Sequence, residues 1–373
     1  MTKISMLIRT PSLKNDDRVR KESTSLAKHH EVRVVSFENG TSNLEGYYPG
    51  VYLSRKRMHL RKIFPSGKFV LFKIVEMYFK YLVDCIKYKP NVIWLHNFEM
   101  LGLVFLFAVL KKLRLINSKI AWDEHELPPE IFLKNSILKS LYSYCIRSCD
   151  LNFIAESARG DYVNNALNIK TEYISIDNYP DFTFLNENSK PLGEALNNWL
   201  NGDDFFLCQS GARIDRAMVE IVNAALQVRK KVVFVGPYNK NQVNELLSKN
   251  VEFNNYVYFE DSVPQMRLVD YIERCIATIV FYKKSSMNNW LCAPNRLYLS
   301  LARGKPVISG NNPVFKRVEK DNNVIVCNTD GDDCQLIAKA LDTFDASKYT
   351  NVHNQFLWEN VELKIQDKVK NVI

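Results

Sequence analysis

Short apolar runs alternate with stretches of helical spacing along most of the chain. Ile4–Ile8 reads as a buried strand, and Arg18–His30 as a helix with Val19, Leu26 and Ala27 on one side. Val32–Phe37 is a β-branched strand, followed by a long loop. Then come a helix over Phe69–Tyr88, a strand at Asn91–Leu95, a helix at Leu103–Leu113, a strand at Ile120–Asp123, a helix at Ile137–Ser148 and a strand at Leu151–Ala155. Short buried strands separated by helices predict parallel βαβ units.

The pattern breaks at Asn178-Tyr179-Pro180-Asp181, which is turn chemistry, and Leu185–Asp204 is polar; the domain boundary is expected here. A second α/β series follows, with strands at Phe205–Gln209, Lys231–Val235, Val257–Phe259, Ala277–Phe281 and Pro306–Ser309. Helical spacing covers Ala217–Val228, Gln265–Arg274, Asn295–Arg303, Gln335–Leu341 and an amphipathic Leu357–Val372. Two such halves predict two open parallel sheets with a cleft between them and ligands beyond the carboxyl ends of the strands.

Composition changes this picture little. With 373 residues, 46% hydrophobic and 24% charged, and only 13 Gly and 13 Pro, the chain has the make-up of two globular domains and not of a disordered or fibrous protein. The longest apolar run, Met100–Leu110, is too short to span a bilayer, and Met1-Thr2-Lys3 leads straight into a strand, so an intracellular location is expected. Eight scattered cysteines form no CxxC pair; Cys145 and Cys149 lie one helical turn apart, and buried free thiols are expected.

Charge changes it more. Residues 51–90 hold ten Lys or Arg against Glu76 and Asp84, which is +8 of the chain's net +9. Phe64, Phe69, Phe72, Tyr78 and Phe79 interleave with them. Such a segment suits an anionic membrane surface or, equally, an ordinary solvated helix whose other face is core; nucleic acid is not an expected partner.

Candidate chemistry is sought in loops after strands. Gly211-Ala212-Arg213 follows the strand Phe205–Gln209 and precedes a helix near Arg216. A small residue there lets backbone N–H groups approach a phosphate, and Arg213 or Arg216 can donate paired hydrogen bonds to it. Neither a Walker loop nor a full dinucleotide fingerprint is present. Pro294, Asn295 and Arg296 open another helix after a strand, leaving early N–H groups for an anion. Asp123-Glu124-His125-Glu126 follows a strand, with three acids expected to surround and charge the imidazole, and His96 ends another strand. Neither His-x-x-x-His nor HExxH occurs, so a metal is not expected. No GxSxG elbow occurs either.

Six segments, in order, resemble the GT-B glycosyltransferases of the large retaining family 4, in its bacterial surface-polysaccharide form. They are Asn15–Glu22 with Ser25–Ala27, Val92–Asn97, Asp123–Glu130 (DEHELPPE), Asn178–Pro180, Val257–Val263, and Ala293–Ile308 (APNRLYLSLARGKPVI). The resemblance implies an α/β GT-B fold, two Rossmann-like domains facing across a cleft. Residues 1–180 would be the acceptor domain, 181–356 the donor domain, and 357–373 a closing helix crossing back.

It further implies a hexosyltransferase, retaining in stereochemistry, moving a sugar from a nucleotide-diphosphate sugar to a glycan or lipid-linked acceptor. That sugar nucleotide is a co-substrate; no cofactor or metal is implied. His125 would contact the donor sugar, and Arg216, with Arg213 and Gly211, the leaving diphosphate. Asn295 and Arg296 would meet the phosphates, and Glu260, Asp261 and Ser262 the nucleobase. Asp17, Arg18 and Lys21, with His96, Asp123 and Glu126, would line the acceptor side. Residues 51–90 would dock this cytoplasmic protein peripherally on the inner face of the plasma membrane. One departure stands out: the family's Glu-x7-Glu pair falls on Leu291 and Leu299. This keeps two other readings open, an inactive GT-B binding or scaffold protein and a GT-B nucleotide-sugar epimerase.

Overall fold

The computed structural model describes residues 1–38, 43–64, 67–209, 211–319, 324–349 and 355–373; residues 65 and 66 of the basic segment and Ser210 beside Gly211 lie outside the described residues. The chain divides into two compact units, Met1–Asp177 with Val361–Ile373, and Asn178–Asn360.

The first unit is built on seven parallel strands: β1 (Lys3–Arg9), β2 (Glu31–Phe37), β3 (Val51–Lys56), β4 (Val92–His96), β5 (Lys119–Glu124), β6 (Leu151–Ile154) and β7 (Tyr173–Ser175). Their order is β3-β2-β1-β4-β5-β6-β7, so the direction of winding reverses between β1 and β4. All of β4 and all but the first residue of β5 are buried, because helices cover both faces of such a sheet. Leu7, Ile93, Leu95 and Trp122 share one core cluster with Tyr81 of α2 (Val70–Tyr88), Phe107 of α3 (Leu101–Lys112) and Tyr142 of α4 (Ser136–Ser148).

Helix α1 (Asp17–Ala27) starts where Asp16 accepts from the Val19 N–H, and Asp17 adds favourable charge in the first turn. Arg18 and Glu22, one turn apart, are thereby buried on the same face of α1.

The second unit carries six parallel strands: β8 (Phe205–Cys208), β9 (Lys231–Val235), β10 (Val257–Glu260), β11 (Ala277–Val280), β12 (Val307–Ser309) and β13 (Val324–Val326). Their order is β10-β9-β8-β11-β12-β13, with the reversal between β8 and β11. Its helices include α5 (Met218–Val228) and α6 (Asn295–Ala302). The last helix, α7 (Trp358–Val372), begins in the second unit and ends in the first, where it buries Val361, Ile365 and Val369.

Two features differ from the sequence reading. The stretch 185–204 is not an open linker: Leu192, Leu196 and Leu200 are buried with Phe205 and Leu207. Strands β3, β7 and β13 were not expected, and each lies at the edge of its sheet. The cysteines are thiols and not disulfides; Cys149 Sγ donates to the Cys145 carbonyl.

Candidate functional site

Chemistry collects at the carboxyl edge of each sheet, at the point where strand order reverses. In the first unit Arg18, at the start of the helix after β1, donates from Nε to Asp123 Oδ2 at 2.9 Å and from Nη2 to Oδ1 at 2.5 Å. Its Nη1 donates to the Ile176 carbonyl at 2.6 Å, just beyond β7. His125 Nε2 lies 2.9 Å from Asp123 Oδ2, and His96 Nδ1 lies 3.3 Å from both that oxygen and His125 Nε2. Glu22 brings Oε1 to 3.0 Å from Arg18 Nε.

Arg18, Glu22, His96 and Asp123 are buried, and only His125 has partial access to solvent. Burial pushes the Asp123 carboxyl up, but Arg18 and the two imidazoles outweigh it, so Asp123 stays ionised, well below the usual carboxylate range. Burial and the Asp123 anion raise Glu22 well above that range. Burial lowers His96 despite its bond to Asp123. The network is centred on the Arg18–Asp123 ion pair, with burial pushing both Glu22 and His96 beside it toward their neutral forms. His125 is held through Nε2, 2.9 Å from Asp123.

Oδ2 of Asp123 and the two histidines also come within 4.8 Å of one another, as a metal's ligands would. The same carboxylate is already neutralised by Arg18 on both oxygens, so a divalent cation there would sit against a guanidinium. These residues fit a proton-sharing network better than a cation cage.

The expected surround of three acids is corrected. Strand alternation turns Glu124 to the opposite face of β5 from Asp123 and His125. There it accepts from Tyr142 Oη at 2.6 Å, while Glu126 is exposed. Burial raises the Glu124 carboxyl to about 8. Only Asp123 of the three touches His125. Asp17 also stays apart from the network, paired with Arg20 at 2.5 Å and Lys21 at 2.8 Å. Arg159, which the sequence reading passed over, donates to the His125 carbonyl at 2.7 Å and steadies that loop.

In the second unit the Gly211 N–H donates to the Val235 carbonyl at 3.0 Å, and the Gly236 N–H to the Glu260 carbonyl at 3.2 Å, stitching together the loops after β8, β9 and β10. Gly211 has φ +65°, and a Cβ there would lie 2.1 Å from the Pro237 carbonyl oxygen, so only glycine fits. Beyond it a single turn, Ile214–Arg216, delivers Arg216 onto the ring of Tyr282, 3.4 Å from its centroid. Arg296, in the first turn of α6, lies 5.2 Å from the same centroid. Both guanidiniums keep a buried Nη1 without a hydrogen-bond partner.

Burial lowers the affinity of Arg216 for its proton, and the Arg296 cation adds to this, while Tyr282 and Asp215 oppose it. Two like charges on one ring are relieved by an anion that both can reach. Arg213 is drawn away, paired with Asp215 at 2.9 and 3.1 Å, and exposed. Asn295 is exposed at the start of α6, where Pro294 supplies no side-chain cap. Asp261 and Ser262 are exposed just after β10, and Glu260 ends it. Tyr282 is another residue the sequence reading missed; it lies two residues beyond β11, the strand beside β8. Leu299 is core, 3% exposed among Leu196, Leu207 and Val235.

No family model matches the chain, and no curated protein does. Among solved structures it is similar to a sucrose-phosphate synthase from Thermosynechococcus elongatus, with TM-score 0.74 and 12% identity over 100% of this chain and 99% of that one. It is likewise similar to HepE from Anabaena in complex with UDP, with TM-score 0.71 and 12% identity over 99% and 100%. A glycosyltransferase from Rickettsia africae gives TM-score 0.70 and 14% identity over 100% and 99%. The likeness runs the length of the chain and shows the fold alone, a GT-B arrangement of two Rossmann-like α/β units.

Proposed function

We propose that this chain is a glycosyltransferase that uses a nucleotide-diphosphate sugar as donor. The observation that carries the reading is the pair Arg216 and Arg296 on Tyr282 at the reversal point of the second sheet, each with a buried Nη1 that makes no hydrogen bond, the Asp215 carboxylate standing 3.8 Å from that of Arg216. A diphosphate offers acceptor oxygens within hydrogen-bond reach of both guanidiniums and more negative charge than Asp215 alone supplies. HepE, a protein of the same fold, is solved with UDP and with UDP-glucose, which supports a uridine nucleotide as the first to test.

In this reading the second unit grips the diphosphate, and the bond between the anomeric carbon and the phosphate oxygen breaks with its electron pair going to the nucleotide. The arginines stabilise that developing charge. A new bond forms between the anomeric carbon and an acceptor oxygen, whose proton passes to the departing diphosphate. In the first unit His125, fixed by Asp123, hydrogen-bonds the sugar and orients it. Retention of configuration, a hexosyl donor and a place in surface-glycan synthesis belong to the same proposal and derive from the motif resemblance. Asp17 and Lys21 on α1 and the exposed Glu126 are its acceptor-side groups; Glu260, Asp261 and Ser262 are its nucleobase side.

Burial of Leu299 favours one second reading, a GT-B protein that binds a partner without turnover, because the ribose-holding carboxylate of the related motif has no counterpart there. A thermal-shift panel of UDP, GDP, dTDP, ADP and CMP separates the two. A ligand at about 100 times its dissociation constant stabilises by roughly 2.7 kcal/mol. Selective stabilisation by one diphosphate, lost in Arg296→Met, is expected; no stabilisation by any of them would leave only the partner-binding reading.

A further inference from the structure

Helix α2 buries Met77, Tyr81 and Cys85 and leaves a second apolar stripe bare. That stripe is Phe72, Val75, Phe79, Leu82 and Ile86, spaced three, four, three and four residues apart, which is the repeat of a coiled-coil seam. Phe72, Val75, Phe79 and Ile86 are 57–66% exposed, and Leu82 is half-buried. Single exposed apolar residues are ordinary; a regular set along one helix marks an interaction surface.

The two ends of the seam differ in shape. At its start the rings of Phe64, Phe69 and Phe72 cluster, with successive centroids 4.4 Å and 6.2 Å apart, and Phe69 and Phe72 stand exposed. At its end lies a cavity of about 380 Å³, walled by Leu82, Ile86, Ile93, Phe107 and Leu115, with room for an aromatic ring. The cavity is also lined by Asn91 and Ser118, just ahead of β4 and β5, so it opens at the amino edge of the sheet, away from the histidine network. A knob at one end of a helix and a hole at the other make that helix complementary to its own copy turned end for end.

We propose that α2 pairs antiparallel with α2 of a second copy of this chain, about a two-fold axis at Phe79. Phe79 then meets its own counterpart, Val75 packs against Leu82 of the other copy, and Phe72 comes to Ile86 with its ring over the other copy's cavity. At roughly 100 Å² exposed per side chain, Ile63, Phe69, Leu71 and Leu115 added to the seam bring it to on the order of 800 Å² per copy, the size of a standard interface. A bilayer needs apolar area alone; a three-four spacing that ends in a ring-sized hole is shape, which selects a protein partner. Lys68 and Lys89 bracket the seam and meet end to end in the pair. Screening salt therefore tightens the pair, whereas it loosens a cationic face from anionic lipid.

The test is the mass of the full chain by sedimentation equilibrium, free of lipid and detergent, from micromolar to a hundred micromolar. A passage from one chain to two is expected, tightening severalfold as sodium chloride is raised. Phe79→Glu sets two carboxylates against each other at the axis and should weaken pairing at least a hundredfold. It should melt like the parent at concentrations where both are single chains, since position 79 is exposed there. Leu115→Glu, at the mouth of the cavity, should weaken pairing about tenfold. Oxidation by copper phenanthroline reads the register, with the parent and its own cysteines as the blank. Phe79→Cys should give a covalent dimer, Phe72→Cys alone should not, and Phe72→Cys with Ile86→Cys should. A single chain at every concentration, a pair that loosens with salt, or undiminished pairing by Phe79→Glu would overturn the proposal. Self-linking of Phe72→Cys as strong as that of Phe79→Cys would overturn it in favour of a parallel pair. Capture of single chains by phosphatidylglycerol vesicles, with no pairing in solution, would assign the face to lipid instead.

Discussion

Glu124→Gln should make the first unit more stable as pH rises, relative to the parent protein. The Glu124 carboxyl is buried, bonded through Oε2 to Tyr142, with Oε1 unpartnered. Its folded value is about 8 against an ordinary 4.5, so between these limits the unfolded chain has released a proton that the folded chain keeps. Stability therefore falls with pH across that window, at about 1.4 kcal/mol per pH unit in its middle. Integrated from pH 5 to pH 8, the loss from this one group is about 3.5 kcal/mol. Glutamine keeps an acceptor for Tyr142 and does not titrate, so it removes that loss.

The assay is urea denaturation of both proteins at pH 5, 6.5 and 8, followed by fluorescence, since Trp94 and Trp122 are fully buried in this unit. At a denaturant slope of about 2–3 kcal/mol/M, the gap between the two midpoints should widen by about 1–2 M from pH 5 to pH 8. Glu22, also raised, contributes equally to both proteins and cancels. Midpoints that run parallel with pH would refute the assignment of a neutral carboxyl to β5.

Other outcomes are expected at the two sites. Leu299→Glu would bury a charge in the second unit's core and should cost about 3–5 kcal/mol without gaining nucleotide affinity; unchanged melting with tighter UDP binding would refute its core role. Gly211→Ala meets both the positive φ and the Pro237 carbonyl, and should cost about 1–3 kcal/mol and abolish nucleotide stabilisation; parental melting would refute the strain. Asp123→Asn should destabilise by about 3–5 kcal/mol by leaving Arg18 buried without its counter-charge, and Arg18→Met added to it should restore part of the loss. Purely additive losses would sink the ion-pair account. His125→Ala should melt like the parent yet lose transfer activity by a hundredfold or so, the scale of positioned acid–base and binding groups; near-parental turnover would remove it from the site.

Most strands legible in the sequence are apolar runs in the interior of a sheet; one edge strand, Val257–Glu260, was legible too, from Val257, Tyr258 and Phe259. The three that were not, Val51–Lys56, Tyr173–Ser175 and Val324–Val326, are edge strands with one neighbour and half-buried side chains, so their pattern resembles that of loops. The site followed the same logic. Of the positions named from sequence, the structure gathers Arg18, His96 and Asp123 in the first unit and Arg216 and Arg296 in the second, each at the end of a strand or near a helix start. Glu22 and Tyr282 were missed because only tertiary packing makes them neighbours of charge. Glu124 and Glu126 were misjudged because closeness along the chain was taken for closeness in space.

Helix α7 has a consequence for synthesis. Val361, Ile365 and Val369 complete the core of the unit that the first residues begin, with Lys368 reaching Glu172 at 2.6 Å and Gln366 reaching the Ser25 carbonyl at 3.2 Å. A ribosome releases those residues only after the whole of Asn178–Asn360 has emerged. The unit begun first is thus finished last, and it waits with an uncovered apolar strip while the other folds. Chaperone demand should fall on the first unit, and a stop codon just after Asn360 should give a chain whose second unit is sound and whose first aggregates.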